Sequence, residues 1–291
     1  MAEEFTELRK LQIAQLSILL EIKRICEKHQ ISYSLIAGTM LGAVRHQGFI
    51  PWDDDIDVGM LRSDYIKFLN VCKLELQDQF FLQTRETDIN YGGSFAKIRI
   101  NNTICKFKGT EHLDIHHGIW VDIFPYDNAP NNIIAKTLHK YVLRWLYAAV
   151  FEKYNYFPDK GKIHYVIYKI SALPFLTWEK CKVMELLERV EQYYYSENTD
   201  NVVLSASSYS YNKEYFPKKI LDELIDVEFE KYMFPIVSAY DARLSKIYGD
   251  YMRLPPVEKR NKNIEFITEL DLGVYQNEEM LLKSISAENI E

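Results

Sequence analysis

Apolar residues recur at helical spacing along the first part of the chain. Leu8, Leu11, Ile18, Ile22 and Ile25 stand three, four or seven positions apart with charged residues between them, which predicts an amphipathic helix over residues 4–29. Residues 31–37 then read as a short strand, and Gly38-Thr39 as a turn into a brief helix that Thr39 is suited to cap. A strand over 55–60 and a helix over 63–76 behind a Ser63 cap follow. Alternation over 95–100 predicts a strand with Lys97 and Arg99 on one face, and 118–124 a further strand that Pro125 is expected to halt.

Beyond Pro130 the pattern changes to long helical stretches at 133–152, 163–173 and 178–195, rich in tyrosine and without clustered acids. The expectation is an α+β fold. A small mixed sheet with flanking helices occupies 1–130, and 131–291 is mainly helical, with the junction near 128–132 and a weakly patterned acidic tail after Leu270.

With 291 residues, 47% of them hydrophobic, the chain has ample material for a core. Cys26, Cys72, Cys105 and Cys181 are scattered without a CxxC pair, which points to a reducing compartment. The first residues lack the basic start and apolar run of a signal peptide, and no stretch approaches the length of a membrane span; the most apolar, 141–151, contains Arg144. A cytoplasmic location is expected. The net charge of −7 argues against a nucleic-acid partner, because neutralising phosphates takes basic excess.

Candidate chemistry concentrates in two places. Asp53, Asp54, Asp55 and Asp57 repel one another, so packing them beside Trp52, Ile56 and Val58 calls for a compensating cation. On an extended segment Asp55 and Asp57 project from the same face and suit Mg²⁺ or Mn²⁺, with Asp53 and Asp54 in supporting or capping positions; a solvated acidic turn is the alternative. Asp122 interrupts an apolar strand, where an unpaired charge costs on the order of several kcal/mol. Either it pairs with an arginine such as Arg45 or Arg99, or it is a third metal ligand.

Gly38 and Thr39 offer close backbone approach, a hydroxyl and a helix N-terminus to a phosphate. Lys97 has two readings, as a cation on a leaving phosphate or a solvated edge-strand lysine. Lys259 and Arg260 follow a Pro-Pro break, from which they either fold back over a donor diphosphate or start an exposed helix. The spacing of Cys105, His112, His116 and His117 fits no common structural zinc site.

Four stretches carry a resemblance: Ala37-Gly-Thr-Met-Leu-Gly-Ala-Val-Arg-His46, Gly48-Phe-Ile-Pro-Trp-Asp-Asp-Asp-Ile-Asp57, Gly118-Ile-Trp-Val-Asp-Ile-Phe-Pro125, and Tyr248-Gly-Asp-Tyr-Met252 with Leu254-Pro-Pro256 and Lys259-Arg260. Together they resemble the LicD family of phosphocholine transferases, the branch of the nucleotidyltransferase superfamily that includes fukutin-type phosphotransferases. The match is close over 31–127 and 248–260 and weak between.

The resemblance implies a nucleotidyltransferase-like fold, with 246–260 returning towards the active site, and metal-dependent transfer of phosphocholine from CDP-choline to a glycan hydroxyl, with release of CMP. Teichoic acid, capsular polysaccharide or lipopolysaccharide, free or lipid-linked, is the acceptor class, which is compatible with peripheral association at the inner membrane face. By motif, Asp55, Asp57 and Asp122 become the metal-binding and catalytic set, Gly38 and Thr39 the phosphate turn, and Arg45 and Trp52 part of the nucleotide site. Trp120 and Tyr126, flanking Asp122, are candidates for an aromatic cage around choline. Transfer of glycerol phosphate or ribitol phosphate, a nucleotidyltransferase that releases pyrophosphate, and a catalytically silent nucleotide- or glycan-binding assembly factor are the competing readings.

Overall fold

The computed structural model describes residues 5–156, 162–260 and 266–286. Helix α1 (Glu7–His29) starts at Thr6, whose side chain accepts the Arg9 N–H. Its sequence is amphipathic, yet it is buried without a break from Lys10 to Ile22, because the sheet and the last helix both pack on it. The polar residues this encloses are employed: Gln12 and Gln15 donate to the backbone carbonyls of Asp53 and Asp54, at 2.9 and 2.7 Å.

There follow β1 (Ser34–Leu35), α2 (Ala37–His46), β2 (Asp57–Leu61), α3 (Arg62–Glu75), β3 (Phe80–Gln83), β4 (Ala96–Ile100), β5 (Ile104–Phe107) and β6 (Trp120–Ala129). Then come α4 (Ile133–Lys153), α5 (Lys162–Ala172), α6 (Lys180–Glu191), β7 (Asn201–Val203), α7 (Tyr211–Glu214), β8 (Phe216–Pro217), β9 (Leu224–Phe229), β10 (Tyr232–Val237), α8 (Tyr240–Tyr248), β11 (Ile267–Asp271) and α9 (Glu278–Ser284). The fold is α+β. Its main sheet runs β1-β2-β6-β4-β3, with β2 and β6 parallel and the other pairs antiparallel; β7 continues from β6, and β8 from β7.

Several local expectations need correction. The strand expected over 31–37 shrinks to two residues, Ser34 and Leu35, which pair in register with β2, and Ile36 adds one further bond from its N–H to the Asp57 carbonyl at 3.1 Å before α2 begins. Neither Thr39 nor Ser63 caps a helix: α2 and α3 begin earlier, behind Ile36 and Leu61, so both residues lie inside the first turn. Strand β6 runs through Pro125 to Ala129. The missing N–H is tolerated because β4 leaves that edge of β6 at Ile123 and β7 joins it only at Asp127, so no ladder bond is owed there.

The region from 131 onward carries strands as well as helices. Helices α4 to α6 form a smaller core of their own, with Leu143, Leu146, Val150, Phe175, Val183 and Leu187 at its centre. The chain then re-enters the sheet at β7. Strand β11 pairs with β5, and α9 packs on α1, giving structure to the acidic tail.

A buried polar network ties the helical region to the sheet. Glu191, at the end of α6, accepts from the hydroxyls of Ser94, Tyr147 and Ser205. Burial, followed by the nearby Asp127 charge, pushes its carboxyl from 4.5 up to about 7. Between those values the folded chain binds a proton that the unfolded chain has lost, so the unfolding free energy falls as pH rises through that window and levels above it. Glu191→Gln removes this component. Urea unfolding from about pH 5 to about pH 8 checks it, and an unchanged slope in the variant would refute the assignment.

Candidate active site

One row across the sheet gathers the charged residues. Asp57 is in register with Asp122 across the parallel β2–β6 pair, and Asp122 lies opposite Lys97 across the antiparallel β6–β4 pair. Residues in one row project from the same face, so Asp57, Asp122 and Lys97 meet although far apart in sequence. Alternation along β6 separates two environments. Val121 and Ile123 enter the main core, while Asp122, Phe124 and Tyr126 line a cleft of about 270 Å³.

Asp55 and Asp57 line the same cleft. Its far wall comes from the second half of the chain, with Tyr209, Glu214, Phe216 and Arg243. Gly59 makes room for this arrangement: a Cβ there would stand 2.6 Å from the Tyr126 ring. Ala37, also on the lining, opens α2 at φ 47°, a left-handed conformation that costs roughly 1 kcal/mol for a residue with a Cβ.

Asp122 takes Lys97 as its ion-pair partner, where the sequence offered Arg45 or Arg99. Arg99 instead donates to Gln83 and to the Gly118 carbonyl. Burial, followed by the charges of Asp57 and Asp53, pushes Asp55 well above the usual carboxylate range. Burial and then Asp122 do the same to Asp57, while burial and Asp54 raise Asp53 to about 7. Carboxylates enclosed this closely are short of positive charge. An all-oxygen donor set of this kind fits a hard divalent cation.

The carboxyl oxygens of Asp53, Asp54 and Asp55 come within 4.8 Å of one another, the one such trio among the described residues. Asp53 and Asp54 therefore stand beside Asp55 itself, while Asp57 and Asp122 are not part of this trio. The Asp53 Oδ2 lies 3.0 Å from where a Cβ on Gly38 would be, so this glycine lets a carboxylate approach the start of α2. Thr39 is buried, and its hydroxyl accepts the Asp57 N–H at 2.9 Å, holding the start of β2.

Arg45 and Trp52 lie outside the cleft lining. Arg45 donates to the Tyr251 carbonyl at 2.6 Å, and the Arg260 guanidinium sits 4.7 Å from the centre of the Trp52 ring. These two signature residues thus hold the returning segment 248–260. The side chain of Lys259 lies outside the described residues. Of the two aromatic candidates, Tyr126 lines the cleft; Trp120 has Lys97 and Arg99 over its ring, at 4.8 and 5.3 Å. The histidines near Cys105 are engaged separately: His112 with Asn155, His116 with Asn101 and stacked on Phe81, His117 with the Leu113 carbonyl.

Sequence reasoning missed Glu214, Arg243, Phe124 and Phe216 as cleft residues. Alternation from Asp122 along the strand could have found Phe124; no local signal marks the other three, and Arg243 pairs with Glu214 at 2.8 Å only through tertiary packing. Gln12 and Gln15 left a trace, as polar positions inside the largely apolar run 11–20 of α1.

Residues 30–160 match the family described as LicD/FKTN/FKRP, nucleotidyltransferase domain. Over 256 residues the chain is 33% identical to the lipopolysaccharide cholinephosphotransferase LicD of Haemophilus influenzae, an alignment that spans 86% of this chain and 93% of that protein. The chain belongs to the LicD family. This membership makes it a transferase. An uncharacterised protein of Rickettsia prowazekii is 30% identical over 112 residues, covering 32% of this chain and 39% of its own length. A second, from Rickettsia typhi, is 52% identical over 44 residues, or 15% and 14%. No described helix of this LicD-family chain is long and apolar enough to cross a membrane.

Proposed function

We propose that this protein transfers phosphocholine from CDP-choline to a hydroxyl of a cell-surface glycan of the lipopolysaccharide class, releasing CMP. The similarity to the Haemophilus influenzae cholinephosphotransferase over most of both chains carries this reading. The acceptor oxygen bonds to the phosphorus that bears choline, the bond from that phosphorus to the CMP oxygen breaks, and CMP keeps the electron pair. The hydroxyl proton passes to a carboxylate of the cleft.

Asp55, Asp57 and Asp122 would hold Mg²⁺ or Mn²⁺, which when bound offsets the negative charge of the diphosphate. Lys97, beside Asp122, brings a positive charge to the same row and can follow the charge that develops on the departing CMP. Phe124 and Tyr126 give the cleft aromatic walls suited to a quaternary ammonium, each desolvated contact being worth roughly 2 kcal/mol, while the Phe216 ring is already faced by the Arg243 guanidinium at 3.8 Å. A polyol head group gains nothing comparable from them.

The test is to incubate the purified protein and Mg²⁺ with CDP-choline, CDP-glycerol or CDP-ribitol, with and without lipopolysaccharide lacking phosphocholine, and to measure CMP. Release is expected from CDP-choline, dependent on acceptor and abolished by EDTA. Equal turnover of CDP-glycerol would remove the choline assignment. No release from any donor would place the chain among silent binders, and pyrophosphate as product would make it a nucleotidyltransferase.

A further inference from the structure

Helices α4 and α5 keep an unusual amount of apolar surface in solvent. On α4, Ile134, Leu138 and Tyr141 follow at intervals of four and three; Val166 and Ile170 on α5, with Leu173 at the start of the 3-10 turn that follows it, do the same, and all six are exposed, Ile134 by 76% and Leu138 by 64%. Their spacing marks one stripe on each helix, apolar where a solvent-facing stripe is normally polar. It is not the face these helices use for packing, because Leu143, Leu146 and Val150 already fill the local core with α6. Trp145 continues the first stripe and donates its Nε1–H to the Ser171 carbonyl, next to Ile170 of the second. The Trp145 and Trp178 rings both pack on Phe175 and still remain 39% and 43% exposed.

Charge identifies the occupant. From Ile133 to Lys182 the sequence carries nine Lys and Arg against three Asp and Glu, a local net charge of +6 in a chain of net charge −7. Lys169 is held by Glu152, but Lys136, Lys140 and Arg144 have no acidic partner among the described residues. A second copy docking on this face across a two-fold axis would bring the same positive charge against it, and the pair would repel. An anionic surface is attracted.

We propose that this face docks on a bilayer containing anionic lipids. The apolar stripes enter the headgroup region in the membrane plane, the two indoles lie at its boundary, and Lys140 and Arg144 meet lipid phosphates.

Flotation of the full chain with vesicles tests this, using phosphatidylcholine alone or with about one third phosphatidylglycerol. Free phosphocholine in every sample prevents the cleft from reading the lipid headgroup. The protein should float with the anionic vesicles, at least about tenfold less with the neutral ones, and detach at high salt. Leu138→Ser/Ile170→Ser and Lys140→Glu/Arg144→Glu should both stay unbound while melting like wild type. Leu74→Ser, on α3 and 87% exposed, should float normally. Failure of the wild type to float at low salt, or normal flotation of both face variants, would overturn the proposal. So would a solution dimer that Leu138→Ser/Ile170→Ser converts to monomer, since the stripes would then be an interface between copies.

Discussion

Asp57→Asn is expected to lower CMP release from CDP-choline by about 10²–10³-fold without loss of the fold. Asparagine keeps the shape of the side chain and removes the charge that a hard cation requires. The same substitution relieves a conflict, because Asp57 is half-buried beside Asp122 and Asp53 and its ionised form is disfavoured when no cation is bound. Metal-free Asp57→Asn should therefore melt at or above the wild-type temperature, while Mg²⁺ raises the melting temperature of the wild type more than that of the variant. Asp55→Asn should behave alike, since burial and Asp57 raise its carboxyl in the same way. Turnover close to wild type, or an equal thermal response to Mg²⁺, would remove these residues from the metal site.

Arg62→Ala is expected to destabilise the protein by about 3–5 kcal/mol. Arg62, at the start of α3, donates through Nε and Nη2 to both oxygens of Asp127 on β6, each at 2.7 Å, and Asp127 is 1% exposed. Glu191 lies 3.9 Å from the same guanidinium, so one cation serves two buried acids from different parts of the chain. Its removal leaves a carboxylate enclosed without a counter-charge, a large loss against a total stability of roughly 5–15 kcal/mol. Arg62→Met/Asp127→Leu should recover most of that loss, because two apolar groups of similar size need no partner. Urea unfolding of both variants and of Asp127→Leu completes the cycle. A cost below about 1 kcal/mol for Arg62→Ala would show that the pair does not hold the sheet to the helices.

The readable parts of the chain are those where the signal is local. Helical spacing marked α1 and α4 to within a few residues, as it must when one repeating face decides the element. Strand ends were less legible. Residues 31–37 look extended by themselves, but only 34–36 bond to β2, and Pro125 is a strand breaker only where a neighbour needs its N–H. Strands β3 and β5 carried too short a pattern to be recognised before pairing with β4 and β11.

The candidate site divides in the same way. The sequence by itself determined the acidic run at 53–57, the isolated Asp122, the cationic strand bearing Lys97 and the family these motifs mark, because each is a matter of residue type and close spacing. Only the tertiary structure decided that Lys97 and not an arginine faces Asp122, that Arg45 and Trp52 grip the returning segment, and that Glu214, Phe216 and Arg243 close the cleft. Strand register and helix docking bring together residues tens to hundreds of positions apart. That choice is made by the summed packing of both partners, and no window of sequence contains both.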